Sequence, residues 1–222
     1  MTLRYADRAE AGRLLAKSLL RHRGQSCVIY ALPRGGVPVG FEIARALHAP
    51  LDLMLVRKIG VPYQPELAMG AVADGEPPVV VLNDDIVAAV APSEGMVAEA
   101  TRRESDEIAR RRALYLGGQP PLSASGRVAI VVDDGLATGA TARAALRALK
   151  RQKPARLVLA IPVAPAETVA SLKPEADEIV CPQVLEDFTA VGAYYRNFRQ
   201  VEDGEVIRLL AQAREQLATD GA

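Results

Sequence analysis

Short apolar runs of strand length constrain the fold of this chain more than any other feature. They are near-continuous rather than alternating, which is typical of strands that are covered on both faces. Segments with helical periodicity separate them, so the pattern predicts an α/β fold with a mostly parallel, twisted sheet flanked by helices. The runs cover residues 27–32, 51–56, 78–82, 128–132, 156–163 and 178–181.

Composition limits the classes of protein that this chain could represent. It has 222 residues, half of them hydrophobic, which suits a single domain spanning 1–222. Lys plus Arg and Asp plus Glu are both 27, so the chain lacks the basic excess of a nucleic-acid binder, and we expect no nucleic-acid partner. No apolar run approaches the roughly 18 residues that span a bilayer. We therefore expect a cytoplasmic protein with no membrane partner.

One charged stretch interrupts the strand–helix rhythm. Residues 93–114 predict a long helix capped by Ser93, inside a helical insertion of about 83–116. Three interpretations stay open: a solvated insertion, an arm that makes a homodimer contact, or a lid beside the active site. The arginine run 110–112 could also contact phosphate.

The segment VAIVVDDGLATGAT, residues 128–141, carries the chemistry. A buried strand ends in Asp133 and Asp134, a loop of small residues follows, and a helix begins. A helix N-terminus offers unpaired amides and a partial positive charge, and glycine lets the backbone approach an anion closely. The loop therefore predicts a cradle for one phosphate group. Its residues are Ala137, Thr138, Gly139, Ala140 and Thr141.

The two acids need a different partner, because carboxylates next to a phosphate repel it. They fit if they accept hydrogen bonds from sugar hydroxyls a short distance away, so the turn predicts a site for a sugar 5-phosphate. The alternative is an acid pair that only caps the helix, although adjacent buried acids are costly without a partner. No P-loop, dinucleotide-binding glycine pattern or nucleophile elbow is present in the sequence.

This segment resembles the phosphoribosyl diphosphate (PRPP) motif of the type I phosphoribosyltransferases, in which four hydrophobic residues precede two acids and a short Thr/Gly loop. The whole chain is most similar to bacterial members of that family without an assigned substrate. The resemblance implies that Asp133 and Asp134 contact the ribose and that residues 137–141 bind the 5-phosphate. It also implies that a C-terminal hood, about 183–204, covers the acceptor.

Two other segments agree with the resemblance. The strand at 27–32 runs into Pro33, Arg34, Gly35 and Gly36, which resemble the family's diphosphate loop; glycine amides and a guanidinium suit diphosphate oxygens. The strand at 51–56 runs into Arg57 and Lys58, which we expect to reach the same diphosphate. The Gly/Pro-rich stretch 60–66 fits the family's flexible catalytic loop.

The scarce aromatic residues concentrate near the C-terminus, where the hood is expected. Aromatic faces stack on planar rings, so Phe188, Tyr194 and Tyr195 are candidates for binding a nucleobase-like acceptor. Val163, at the end of a core strand, is expected beside it. A small satellite core under the last helix is the alternative interpretation of this cluster.

The resemblance implies a Mg²⁺-dependent glycosyltransferase of nucleotide metabolism, with PRPP and a small-molecule acceptor as substrates. Catalysis would rest on Arg57, Lys58, Asp133 and Asp134, and the metal would be held through diphosphate, ribose hydroxyls and water rather than directly by the chain. Two alternatives remain: a PRPP-binding regulator with little turnover, and a hydrolase acting on PRPP or a related sugar phosphate.

Overall fold

A computed structural model describes residues 4–61, 63–75 and 77–220. The strands are β1 (Cys27–Ala31), β2 (Leu51–Leu53), β3 (Val56–Val61), β4 (Gln64–Ala73), β5 (Val79–Leu82), β6 (Val128–Val132), β7 (Arg156–Ala160), β8 (Val163–Pro165), β9 (Glu178–Val180) and β10 (Gln183–Leu185). The α-helices are α1 (Arg8–Leu19), α2 (Gly36–Leu47), α3 (Asp84–Val90), α4 (Glu94–Leu116), α5 (Ala140–Arg151), α6 (Ala166–Leu172) and α7 (Asp203–Asp220).

The central sheet has five strands in the order β2-β1-β6-β7-β9, and every pair is parallel. All residues of β1 and β6 are buried, because helices cover both faces. The predicted α/β class with a mostly parallel sheet is therefore confirmed. Since parallel strands end at the same edge, the turns that follow β1 and β6 lie side by side.

A second, three-stranded antiparallel sheet in the order β3-β4-β5 corrects two expectations. The stretch 60–66, expected as a loop, lies at the tip of the β3–β4 hairpin, although Pro62 is outside the described residues. The run 78–82 joins this hairpin and not the central sheet. The two strands β3 and β4 form because Ile59, Val61 and Met69 bury their side chains.

The charged helix is exposed on one side and buries the other. The α4 helix buries Ala100, Ile108 and Tyr115 against the hairpin and α7. Arg112, from the run that could contact phosphate, is buried and instead donates to both carboxylate oxygens of Asp52 at 3.1 Å. It also pairs with Asp74 at the end of β4. The insertion therefore fastens the hairpin to the core.

The C-terminal segment rests on the N-terminus. Strand β10 pairs with β8 in parallel, and a 3-10 turn over Val191–Tyr194 follows. Tyr195 then forms a bridge with Tyr5, whose amide donates to the Tyr194 carbonyl at 2.9 Å. Among the described residues, none of the helices has the length and apolar character needed to cross a membrane.

Candidate active site

The loop after β1 packs directly on the end of β6. The Leu32 amide donates to the Val132 carbonyl at 2.8 Å. A Cβ atom at Gly35 would lie 2.6 Å from Cγ of Asp134, and one at Gly36 would lie 2.6 Å from the Val132 oxygen. Only glycine fits at these contacts, so the expected diphosphate loop and the acid pair share one compact edge of the sheet.

The expected phosphate loop is anchored by hydrogen bonds to β8 and α6, and three of its residues are exposed. The Leu136 amide donates to the Val163 carbonyl at 3.0 Å, and the Thr168 hydroxyl donates to the Ala137 carbonyl at 2.6 Å. Gly139 has a φ of +72° and precedes the first turn of α5, where amides have no intrahelical acceptor. Ala137, Thr138 and Ala140 are exposed. The turn is therefore not packed shut, and its amides are accessible to an anion.

A cavity of about 530 Å³ adjoins this loop and is lined by residues of α5 and of the hairpin sheet. Thr138 and Thr141 line it on the loop side, and Lys58 lines it from β3. Lys58 is exposed, so its ammonium can reach toward the loop. The structure therefore brings Lys58 together with the expected phosphate loop, across a cavity large enough for a small molecule.

The acid pair lies partly buried, and its two members differ in their partners. Oδ1 of Asp133 accepts the Asp134 amide at 2.8 Å. Oδ2 of Asp134 accepts Nε of Arg8 at 2.7 Å. Burial raises the pKa of both carboxyls, and the neighbouring Asp134 raises the pKa of Asp133 further, whereas Arg8 lowers both. The pair therefore carries an electrostatic cost, which a ligand with hydroxyl donors would offset.

The three expected cations occupy different environments. Arg34 extends from the loop after β1 to Asp203 of α7, with Nη1 3.3 Å from Oδ1, and a third of its side chain is exposed. Arg57 donates from Nε to Glu104 of α4 at 3.0 Å. Neighbouring residues of a strand face opposite sides, so Arg57 points away from the cavity that Lys58 lines. In this conformation the structure does not bring Arg57 and Lys58 to one diphosphate.

The C-terminal aromatic residues form two groups. Phe188 and Tyr194 stack with ring centroids 5.5 Å apart; Phe188 is half-buried, whereas Tyr194 is buried and does not offer a free ring face to the acceptor. Tyr195 is 2% exposed and donates its hydroxyl to the Asp134 carbonyl at 2.5 Å. The expectation that Tyr195 offers a ring face to the acceptor does not fit this burial. Val163 is also fully buried, so only its backbone could approach a ligand.

Sequence analysis missed three residues that contact the site. Arg8 reaches Asp134 across 126 positions of the chain, and Tyr5 donates its hydroxyl to the Pro162 carbonyl at 3.1 Å. Asp203 accepts hydrogen bonds from the Tyr115 hydroxyl and from Arg34, and these hold the pKa of its carboxyl below the ordinary value. Each contact joins distant elements, so no local pattern could have indicated it.

The comparisons with known proteins agree with this geometry. The model of the phosphoribosyl transferase domain matches residues 4–199. Two Mycobacterium tuberculosis proteins provisionally named phosphoribosyl transferase, one each from strains CDC 1551 and H37Rv, are 44% identical over 218 residues. That match covers 98% of this chain and 49% of the relatives, so the chain spans about half their length.

Solved structures extend the likeness to the fold. The crystal structure of TT1426 from Thermus thermophilus is 40% identical, with a TM-score of 0.82 over 95% of this chain and 99% of that one. A hypothetical protein from Neisseria gonorrhoeae with bound ppGpp has a TM-score of 0.50 at 14% identity, covering 96% of this chain and 97% of that one. It supports the fold alone. The sheet order, the β6 turn and these matches together show that the chain belongs to the phosphoribosyl transferase family, with the type I fold.

Proposed function

We propose that this chain transfers a 5-phosphoribosyl group from PRPP to a nitrogen of a small planar acceptor and releases diphosphate. The observation that carries the proposal is the meeting of three elements at one edge of the sheet. They are the open phosphate loop, the acid pair and the glycine loop after β1, which packs within contact distance of Asp134. The 5-phosphate would bind the amides of residues 137–141 and the hydroxyls of Thr138 and Thr141. The ribose diol would face the acid pair.

In the proposed reaction the bond from ribose C1 to the diphosphate oxygen breaks and a bond from C1 to the acceptor nitrogen forms. The diphosphate leaves with the bonding electrons, and the nitrogen loses its proton to solvent. The transition state resembles the sugar cation of glycoside cleavage, so neutralising the leaving group matters more than a strong base. Arg34 and Lys58 would supply positive charge, together with Arg57 if its ion pair with Glu104 opens.

The donor set fits a metal carried by the substrate rather than by a protein cage. Among residues 4–61, 63–75 and 77–220, no group of three His, Cys, Asp or Glu side chains could hold a metal ion. Asp133 is the carboxylate available to a water of such an ion, since Asp134 is paired with Arg8. Mg²⁺ retains several waters and binds phosphates readily, and when bound it would neutralise charge on the diphosphate.

We propose that the acceptor lies between the β6 turn and the C-terminal hood, beside the backbone of Val163 and the ring of Phe188. The half-buried Phe188 can offer a face to a planar ring. A nucleobase-like acceptor fits this surface and would place the reaction in nucleotide metabolism in the cytoplasm. Formation of a homodimer belongs to the same proposal and is testable by sedimentation.

The test is turnover of labelled PRPP with Mg²⁺ against a panel of nucleobases. We expect diphosphate release that depends on one base and a labelled nucleotide product. Release at the same rate without any base would instead support a hydrolase, and tight PRPP binding without release would support a regulator. Absence of PRPP binding by calorimetry would reject the proposal altogether.

A further inference from the structure

The two acids of the pair differ in the contacts that their carboxylates make with the rest of the protein. Asp134 has only 13% of its side chain exposed; it accepts Arg8 and lies directly under the backbone of Gly35. Asp133 accepts the Asp134 amide and contacts the Asp134 carboxyl, but it forms no ion pair with any residue that the structure describes. One carboxylate is therefore fixed, and its neighbour keeps capacity for a ligand.

Arg8 is itself held in place by two contacts besides its pair with Asp134. Its guanidinium carbon lies 3.9 Å from the centroid of the Phe198 ring, a cation–π contact, and its Nη1 donates to the Arg199 carbonyl at 2.8 Å. Its side chain is 11% exposed. Phe198 stacks on Tyr195 at 5.0 Å, and the Tyr195 hydroxyl donates to the carbonyl of Asp134. Helix α1 and the C-terminal segment thus converge on Asp134 alone.

Without a cation beside them, two adjacent carboxylates would retain a proton. Burial already raises the pKa of both, and Arg8 is the charged group that opposes the shift. Among the residues that the structure describes, the other titratable group facing the pair is the Tyr195 phenol, since Gly35 and Gly36 contribute backbone only and Arg34 turns toward Asp203. A protonated carboxyl accepts hydrogen bonds from a sugar poorly.

We propose that Arg8 is a positioning residue of the pentose site, which holds Asp134 under the glycine loop and leaves Asp133 as the carboxylate that accepts the ribose diol. The inference rests on the proposed function, because it divides the duties of the acid pair toward the same sugar. It also gives the N-terminal helix a role in the site.

The experiment compares PRPP affinity by calorimetry, across acidic to alkaline pH, in three variants. Arg8→Met removes the cation, and Arg8→Lys keeps the charge but loses the Nε geometry. Arg13→Met is the control on the same helix, because Arg13 is half exposed and pairs with Glu42 away from the acid pair. We expect Arg8→Met to weaken binding roughly 10- to 100-fold, as for a lost hydrogen bond to a charged group. Its acid limb should move to higher pH. Arg8→Lys should recover part of both, and Arg13→Met should match the wild type.

Two double variants test whether Arg8 acts through Asp134. If it does, Arg8→Met should cost little further affinity in the Asp134→Asn background but its full effect in Asp133→Asn. A folded Arg8→Met protein with the affinity and pH profile of the wild type would overturn the inference while leaving the proposed function intact. If Arg8→Met does not fold, Arg8→Lys with unchanged affinity and pH profile would overturn it. A wild type that does not bind PRPP would reject the proposed function itself, and the inference with it.

Discussion

The turn after β6 and the β3–β4–β5 hairpin sheet both supply residues to the site, but they are built differently. The turn belongs to the central sheet, and its neighbours are backbone atoms and glycines at contact distance. The hairpin sheet is a separate layer that buries apolar side chains in the core and is also linked through Arg112 and through the ion pair of Arg57 with Glu104. The comparison indicates that the turn is a fixed frame for sugar and phosphate, while the hairpin brings cations that must be placed by side-chain contacts.

The largest effect is expected from removing both acids of the frame. Replacing Asp133 and Asp134 with asparagine should weaken PRPP binding roughly 100-fold or more, because each hydrogen bond to a charged group contributes about 1.5–3 kcal/mol. Calorimetry checks this, with Asp106→Asn on the exposed side of α4 as a control that also removes an acid. Unchanged affinity in the double variant would show that the pair does not hold the ribose.

A single methyl group added to the frame at Gly35 should be destabilising. Gly35→Ala places a Cβ atom against the Asp134 carboxylate and should lower the free energy of unfolding by about 1–3 kcal/mol, with a matching loss of PRPP affinity. Gly204→Ala is the control, since a Cβ atom there meets nothing within 4 Å. Urea unfolding measures the difference, and equal stability of the two variants would contradict the close contact.

Mutations of the two hairpin cations, Arg57 and Lys58, should have different effects on turnover and stability. Lys58→Gln should lower kcat/KM about tenfold, the equivalent of roughly 1.4 kcal/mol in the transition state, because Lys58 faces the cavity beside Thr138. Arg57→Gln should change turnover less and stability more, since it leaves the buried Glu104 with one arginine fewer. The opposite ranking in steady-state kinetics would mean that Arg57 leaves Glu104 and enters the site.

The smallest expected effect is a change in how the melting temperature depends on pH. Because the pKa of Asp133 is raised in the folded protein, the folded state binds its proton more tightly than the unfolded chain does. Stability is therefore lost as pH rises from the ordinary range of an aspartate through the folded pKa. Asp133→Asn should raise the melting temperature at neutral pH by about 2–4 °C, equivalent to roughly 1 kcal/mol for a chain of this size.

This gain should vanish in acid, below the ordinary pKa of an aspartate, where both proteins carry a neutral side chain. Thermal unfolding followed at neutral and acidic pH measures it, with Asp106→Asn again as the control. A lower melting temperature of Asp133→Asn at neutral pH would contradict the electrostatic cost assigned to the acid pair.

The same two regions separate what the sequence could predict from what it could not. The frame was predictable, because apolar strands and the small-residue loop after Asp134 are local patterns. The hairpin was not. The apolar run 51–56 continues past the end of β2, but at Met54 and Leu55 the chain leaves the central sheet, and nothing in the composition marks that change of partner. The strand residues 60 and 61 depend on cross-strand pairing with β4, which outweighs the low strand preference of Gly60.

The side-chain partners of the site were equally inaccessible from local patterns. Arg8 lies on an amphipathic helix, where the sequence pattern predicts only that a charged residue faces solvent. It is the fold that brings Arg8 to Asp134. Tyr195 was expected to face an acceptor because it is aromatic, yet the N-terminal residues cover it. Motif residues could be identified by their spacing, while the contacts that orient them required the tertiary structure.

The most direct test of the central claim is a crystal structure of this chain with PRPP and Mg²⁺. We predict the 5-phosphate on the amides of residues 137–141, the ribose hydroxyls within hydrogen-bond distance of Asp133, and Asp134 still paired with Arg8. PRPP bound elsewhere, or a phosphate loop left empty at saturating PRPP, would contradict the account.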